Sequence, residues 1–234
     1  PRLYPATVDG TFEGEPVLLS REALNEKRRD MGSFVFSCQM LQNPLADKSD
    51  GFRPEWLRYW EPRREFWEPM NRVIFVDPAG SRKKDSDYSV FCVVGWNTDR
   101  NVYLIHGERI RANLTERTAT LFRLVREFNP ILVGYERYGM QADIEHIQSE
   151  MRRVNYYFGI REMGGQTPKP DRIRRLIPWF EQGRLFLPVQ STFRDNEGSL
   201  RNFTREFVEE EYDTFPVCAH DDMLDCLARL AEPE

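Results

Sequence analysis

Glycine is nowhere followed by lysine in this sequence, so no GxxxxGK[ST] element exists and the chain carries no P-loop of its own. Cysteine is sparse. Cys38, Cys92, Cys218 and Cys226 form no CxxC pair and no zinc-type spacing with the three histidines, and they read as reduced core residues of a reducing compartment. A run of about eighteen apolar residues, the length a spanning helix needs, is missing, and the start is not signal-like; the expectation is a chain soluble where it works, with no membrane partner. Excess basic charge is lacking too: the net charge is -5, which argues against a general nucleic-acid coat. What is present is uneven charge. Bases gather at Arg82-Lys83-Lys84, Arg152-Arg153 and Lys169 to Arg175, and acids at Glu206 to Asp213 and Asp221 to Asp225. A locally basic face on an acidic chain suits a polyanionic substrate. The opening at Pro1 without Met reads as a piece excised from a longer protein.

Residues 1 to about 70 are broken by prolines, with one helix expected from Ser20 to Arg29, stopped at Gly32. Their aromatics, among them Phe34, Phe36, Phe52, Trp56 and Trp60, call for burial, so this stretch reads as a strap lying on a body. From Arg72 the pattern changes. Strands are expected at 73–77, 88–96 and 102–110, joined by short turns into an antiparallel meander. A helix follows over 113–128, a nearly continuous apolar strand over 131–135, a helix over 139–151 and a strand over 156–160. After a Gly-containing loop at 162–168, a basic helix is expected over 170–182, a short strand over 184–189 and a last helix over 219–230. The run Glu209-Glu210-Glu211 reads as a solvated face.

This order describes an α/β chain with a ribonuclease H-like mixed β-sheet, antiparallel meander plus parallel strands, flanked by helices. In such a sheet the strands ending in Asp77 and Glu136 are neighbours, and the final helix brings its acids to the same edge. Two carboxylates about 4 Å apart repel by roughly 4 kcal/mol at an effective dielectric of 20, so such a cluster must share protons or hold a cation. Oxygen ligands without Cys or His favour Mg²⁺ or Mn²⁺, and two such ions suit phosphodiester hydrolysis. Asp77, Glu136 and Asp222 are the candidate catalytic acids. Asp222 and Asp225 share a helix side whereas Asp221 points away, which leaves Asp225 as an outer metal ligand and Asp221 as a helix cap or an outer ligand. Asp87 and His220 stand beside the acids as candidates for supporting contacts; a turn cap and a helix-start residue are the plainer readings of the two. Arg82, Lys83, Lys84, Lys169, Arg172, Arg174 and Arg175 are the candidate phosphate contacts, against the plainer reading of a solvated basic face.

The ordered set DPAG…SDYSV, VGYERYG and AHDDMLDCLA resembles the nuclease domain of tailed-bacteriophage terminase large subunits, the DNA-packaging motors. KPDRIRRLIPWFEQGRLFLP resembles a further segment of that domain, and FSCQMLQNPL with FRPEWLRYW resembles the stretch that joins it to an ATPase. The resemblance implies a Mg²⁺- or Mn²⁺-dependent endonuclease that cuts concatemeric double-stranded viral DNA with little sequence preference, and it places the acidic triad on Asp77, Glu136 and Asp222. It further implies residues 1–70 as a strap from a preceding ATPase region and 71–234 as the nuclease domain. Its implied partners are that ATPase domain, a portal protein and a small terminase subunit, in the host cell cytoplasm, with the isolated domain monomeric. Two other readings stay open. One is a noncatalytic DNA or portal docking module, which would bind without metal-stimulated cleavage; the other is a junction-resolving nuclease, which would need a dimer and branched DNA.

Overall fold

The computed structural model describes residues 4–43, 51–79, 88–136, 141–165 and 167–231. Near the start, helix α1 (Arg21–Met31) is capped by the Ser20 hydroxyl, which accepts from the Ala23 N–H, and ends at Gly32 with φ +76°. Only a residue without Cβ takes that backbone cheaply. Helix α2 (Ser33–Gln39), which the proline-rich composition concealed, follows at once. Leu24, Phe36 and Leu41 form a small core of their own here, separate from the main one.

The strap continues through strand β1 (Tyr59–Trp60) and helix α3 (Arg64–Trp67) to β2 (Asn71–Asp77), β3 (Ser89–Trp96) and β4 (Val102–Ile110). Helix α4 (Leu114–Phe128) opens on a capping box between Asn113 and Glu116. Then come β5 (Leu132–Glu136), α5 (Gln141–Val154) and β6 (Ile160–Met163). The strand expected at 156–160 lies further along: Tyr156 and Phe158 instead pack their rings against Phe122 of α4. The single basic helix expected at 170–182 is two, α6 (Lys169–Arg174) and α7 (Ile177–Glu181). Pro178 cannot donate a helical hydrogen bond and fits only the first turn of a new helix, so the chain breaks before it.

Strand β7 (Leu185–Pro188), the hairpin β8 (Thr192–Arg194) and β9 (Leu200–Asn202), helix α8 (Phe203–Glu206) with a π-helical turn over Phe207–Tyr212, and helix α9 (Asp222–Ala228) complete the chain. The main sheet has seven strands in the order β1-β7-β4-β3-β2-β5-β6. Pairings β2–β3 and β3–β4 are antiparallel, while β2–β5, β5–β6, β4–β7 and β1–β7 are parallel. The ribonuclease H-like mixed sheet read from the element order is therefore the observed one. The strap is tied into it, since β1 pairs with β7 and the Trp60 indole donates to the Leu104 carbonyl at 3.0 Å. No helix among the described residues is long and apolar enough to cross a membrane.

Two details of this sheet place the site. Parallel pairing of β2 with β5 aligns Val76 with Tyr135, so the next residues, Asp77 and Glu136, leave the strands side by side. Helix α9 lies across β2 and β3, with the Cys226 thiol 3.5 Å from the Phe75 carbonyl and 3.6 Å from that of Val90.

Candidate metal centre

Asp77 and Glu136 each end a strand whose preceding residues are buried. Successive strand residues face opposite sides, so the chain that buries Tyr135 on one face turns Glu136 to the other, toward α9. Among the described residues one group of acids is close enough to hold an ion: oxygens of Asp77, Glu136 and Asp225 lie within 4.8 Å of one another. Burial first, then the charges of Glu136 and Asp225, push the Asp77 carboxyl well above the usual carboxylate range. Such repulsion is what a cation relieves. Neighbouring oxygens bound to one Mg²⁺ at about 2.1 Å are about 3 Å apart, so the trio would close inward on an ion. The donors are all hard oxygens, which fits Mg²⁺ or Mn²⁺.

The third member is Asp225, where the sequence favoured Asp222. Asp222 begins α9 and turns toward α6, with Oδ1 2.9 Å from the Lys169 ammonium; its Oδ2 is buried and has no hydrogen-bond partner among the described residues. Asp225, one helical turn on, is 3% exposed and faces the strand ends. Asp221 occupies the N-cap position of α9, yet its side chain makes no capping bond and pairs with Lys169 at 2.6 Å.

Two of the expected phosphate contacts have their charges on these acids. Arg172, buried, forks onto Asp225 with Nε–Oδ1 2.5 Å and Nη2–Oδ2 2.6 Å, and its Nη2 lies 3.9 Å from Glu136. Lys169 sits among Asp221, Asp222 and, at 3.9 Å, Asp225. Arg174 reaches Asp171 at 3.1 Å with its guanidinium over the Phe215 ring, and Arg175, just after α6, reaches the Thr167 hydroxyl at 3.3 Å; both are half-buried. Arg82, Lys83, Lys84 and Asp87 lie outside the described residues. His220 presents its ring edge-on to Tyr88 at 5.7 Å.

Three participants escaped the sequence reading. Arg229 is buried and pairs with Glu136. Its place four residues after Asp225, at the C-cap of α9, was a readable signal. Glu211 lies at the base of α9, fully buried, and accepts hydrogen bonds from the backbone N–H groups of Met223 at 3.2 Å and Leu224 at 2.8 Å. The reading of Glu209-Glu210-Glu211 as a solvated face therefore fails at Glu211, which the π-helical turn carries inward. Behind the strand ends, Arg117 donates to the Ala79 and Ala112 carbonyls and to Asp143, and the Tyr135 hydroxyl donates to the same Asp143 oxygen at 2.7 Å.

A mixed sheet with acids ending two adjacent parallel strands, crossed by a helix that adds a third, is a ribonuclease H-like fold. Within that class the chain has the fold of terminase nuclease domains. The large terminase of a thermophilic bacteriophage matches with a TM-score of 0.55 at 11% identity, over 92% of this chain and 51% of that one, so this chain spans about half its length. The human cytomegalovirus terminase nuclease domain, manganese-soaked and inhibitor-bound, matches with a TM-score of 0.50 at 11% identity, over 76% of this chain and 92% of that one. The large terminase nuclease of the thermophilic phage G20c with bound magnesium gives 0.47 at 16% identity, over 75% and 92%. No family model and no curated protein sequence matches the chain.

Proposed function

We propose that this chain is the metal-dependent endonuclease part of a viral DNA-packaging motor, cutting concatemeric double-stranded DNA with little sequence preference. The observation that carries the reading is the convergence of Asp77, Glu136 and Asp225 from two strand ends and a crossing helix, on a fold shared with a terminase nuclease domain that was soaked with manganese. In this reading those three carboxylates hold Mg²⁺ or Mn²⁺. An ion held by them would supply Lewis-acid polarisation of the scissile phosphodiester and a lowered pKa for a nearby water, the chemistry that phosphodiester hydrolysis needs. The chain's own groups fix the geometry: Arg172 sets the plane of the Asp225 carboxylate by a two-point contact, and Arg229 holds one oxygen of Glu136. In this reading Arg174 and Arg175 meet DNA phosphates, contacts that position a duplex without reading its sequence.

The partners in this reading are an ATPase domain, a portal protein and a small terminase subunit, in the host cytoplasm. Plasmid digestion tests the catalytic claim. Cleavage should require Mg²⁺ or Mn²⁺ and should disappear in Asp77→Asn, Glu136→Gln and Asp225→Asn. Full cutting by all three variants would reject the site, and DNA binding without any metal-stimulated cleavage would favour a docking module.

A further inference from the structure

Five carboxylates meet at this centre, Asp77, Glu136, Asp221, Asp222 and Asp225, and three cations lie among them, Lys169, Arg172 and Arg229. The cations are not equivalent. Arg172 and Arg229 are buried and serve as props for single carboxylates, whereas the Lys169 ammonium is a compact charge held among three acids of the α9 start. Oxygens of Asp221 and Asp222 stand 2.6 and 2.9 Å from Nζ, and Asp225 stands at 3.9 Å. Asp225 belongs to the trio with Asp77 and Glu136, has both oxygens held by Arg172, and brings Oδ2 to 3.9 Å from the Lys169 ammonium. That is the arrangement of a carboxylate lying between two cation positions.

The lysine is also well anchored. It is the first residue of α6, with Pro168 before it and Pro170 after it, and Arg172 one turn later clamps the same helix to Asp225. Proline fixes φ, so the backbone that carries the ammonium has little freedom. About a third of the side chain, 34%, remains open to solvent. An ammonium has three N–H donors, and two of them serve Asp221 and Asp222. The third could meet an oxygen of a phosphodiester laid across the acids.

We infer that Lys169 fills the second cation position of this centre, so that the chain takes up one divalent ion, at Asp77, Glu136 and Asp225, and supplies the other positive charge from its own side chain. The inference rests on the metal-dependent reading of the trio. Its role toward DNA is electrostatic: the ammonium offsets charge on a phosphate oxygen, and no proton leaves it.

The test is the number of Mn²⁺ ions held by the full chain, counted by the loss of the free-ion paramagnetic resonance signal and by anomalous peaks in Mn²⁺-soaked crystals. Wild type should hold one ion, Lys169→Arg one, and Lys169→Met two, the second between Asp222 and Asp225. Asp225→Asn should lose the ion altogether. Two ions in wild type would overturn the inference while leaving the metal-dependent reading intact, and this arm needs no variant to fold. A Lys169→Met protein that still holds a single ion would overturn it as well. No ion in wild type at saturating Mn²⁺ would defeat the reading and the inference together.

Discussion

The carboxylate of Glu211 accepts the backbone N–H of Leu224 at 2.8 Å, so the first turn of the helix that carries Asp222 and Asp225 is capped by an acid from a different element. Met223 donates to the other oxygen at 3.2 Å. Helix starts have unmet N–H groups, and a short helix such as α9 cannot afford to bury them without a partner. Replacement of Glu211 by Ala leaves two buried donors bare, at about 1–3 kcal/mol each. Chemical denaturation should show a loss of that size, and cleavage should fall with it.

Glu211 also confers a pH dependence on folding. Burial raises its pKa to about 7, against the lowering effect of the Leu224 and Met223 N–H groups and of Arg109, and with a further push from Asp222. Arg109 is meanwhile shared with Glu210 at 2.7 Å. The folded chain therefore keeps this proton to about pH 7 while the unfolded chain releases it near 4.5. Folded protein binds more protons over that interval, so this group's contribution to stability falls as pH rises through it and levels off above. Denaturation midpoints measured from pH 5 to 8 should decline less steeply in Glu211→Gln.

Arg117 and Asp143 form a buried pair at 2.6 Å, side chains 4% and 6% exposed. Removing one partner of such a pair strands the other and costs about 3–5 kcal/mol. Arg117→Met and Asp143→Leu should each be destabilised on that scale. The double variant should be destabilised by much less than their sum, which a double-mutant cycle by thermal or chemical denaturation reads directly. Since Arg117 also holds the Ala79 carbonyl, two residues past Asp77, cleavage should be weakened in the single Arg117 variant.

Arg172→Lys keeps the charge beside Asp225 and loses the fork. A lysine cannot hold both carboxylate oxygens in one plane. Metal affinity, measured by titration with Mn²⁺, should drop by about 10- to 100-fold, the usual consequence of losing a group that orients a ligand.

Divalent ions should stabilise the fold through the acid trio. At a hundredfold excess over the dissociation constant, binding to the folded state alone adds about 2.7 kcal/mol. Thermal shift with Mg²⁺ or Mn²⁺ should show a rise in Tm for wild type and none for Asp77→Asn or Asp225→Asn. A rise of the same size in all three would place the ion elsewhere.

Much of this architecture was legible because local rules and tertiary structure agree. The meander strands, the Asn113 cap, the Gly32 stop and the strand ending in Glu136 all carry their pattern in neighbouring residues. The misreadings lie where partners are distant. Tyr156 and Phe158 look like strand residues and are instead a ring cluster on α4, a choice made by Phe122. Asp222 and Asp225 share a helix side, and only the crossing of α9 over β2 and β3 decides which of them meets Asp77. The basic stretch shows its charges in sequence but not their destinations, and Lys169 and Arg172 turn inward because the acids of α9 are there to receive them. Glu211 is one of three identical neighbours, and nothing local marks it as the buried one.

The pairing of β1 with β7 has a consequence for handling the protein. Tyr59 and Trp60 cover the hydrogen-bonding rim of Leu187 and Pro188, and on the far rim β6 exposes the charged Arg161 and Glu162. One rim is thus shielded by the strap and the other by charge, and unshielded rims invite strand pairing between molecules. A fragment beginning at Arg72 would keep all the acids of the centre and lose the cover on β7. Self-association, and not loss of chemistry, would then be what limits its use.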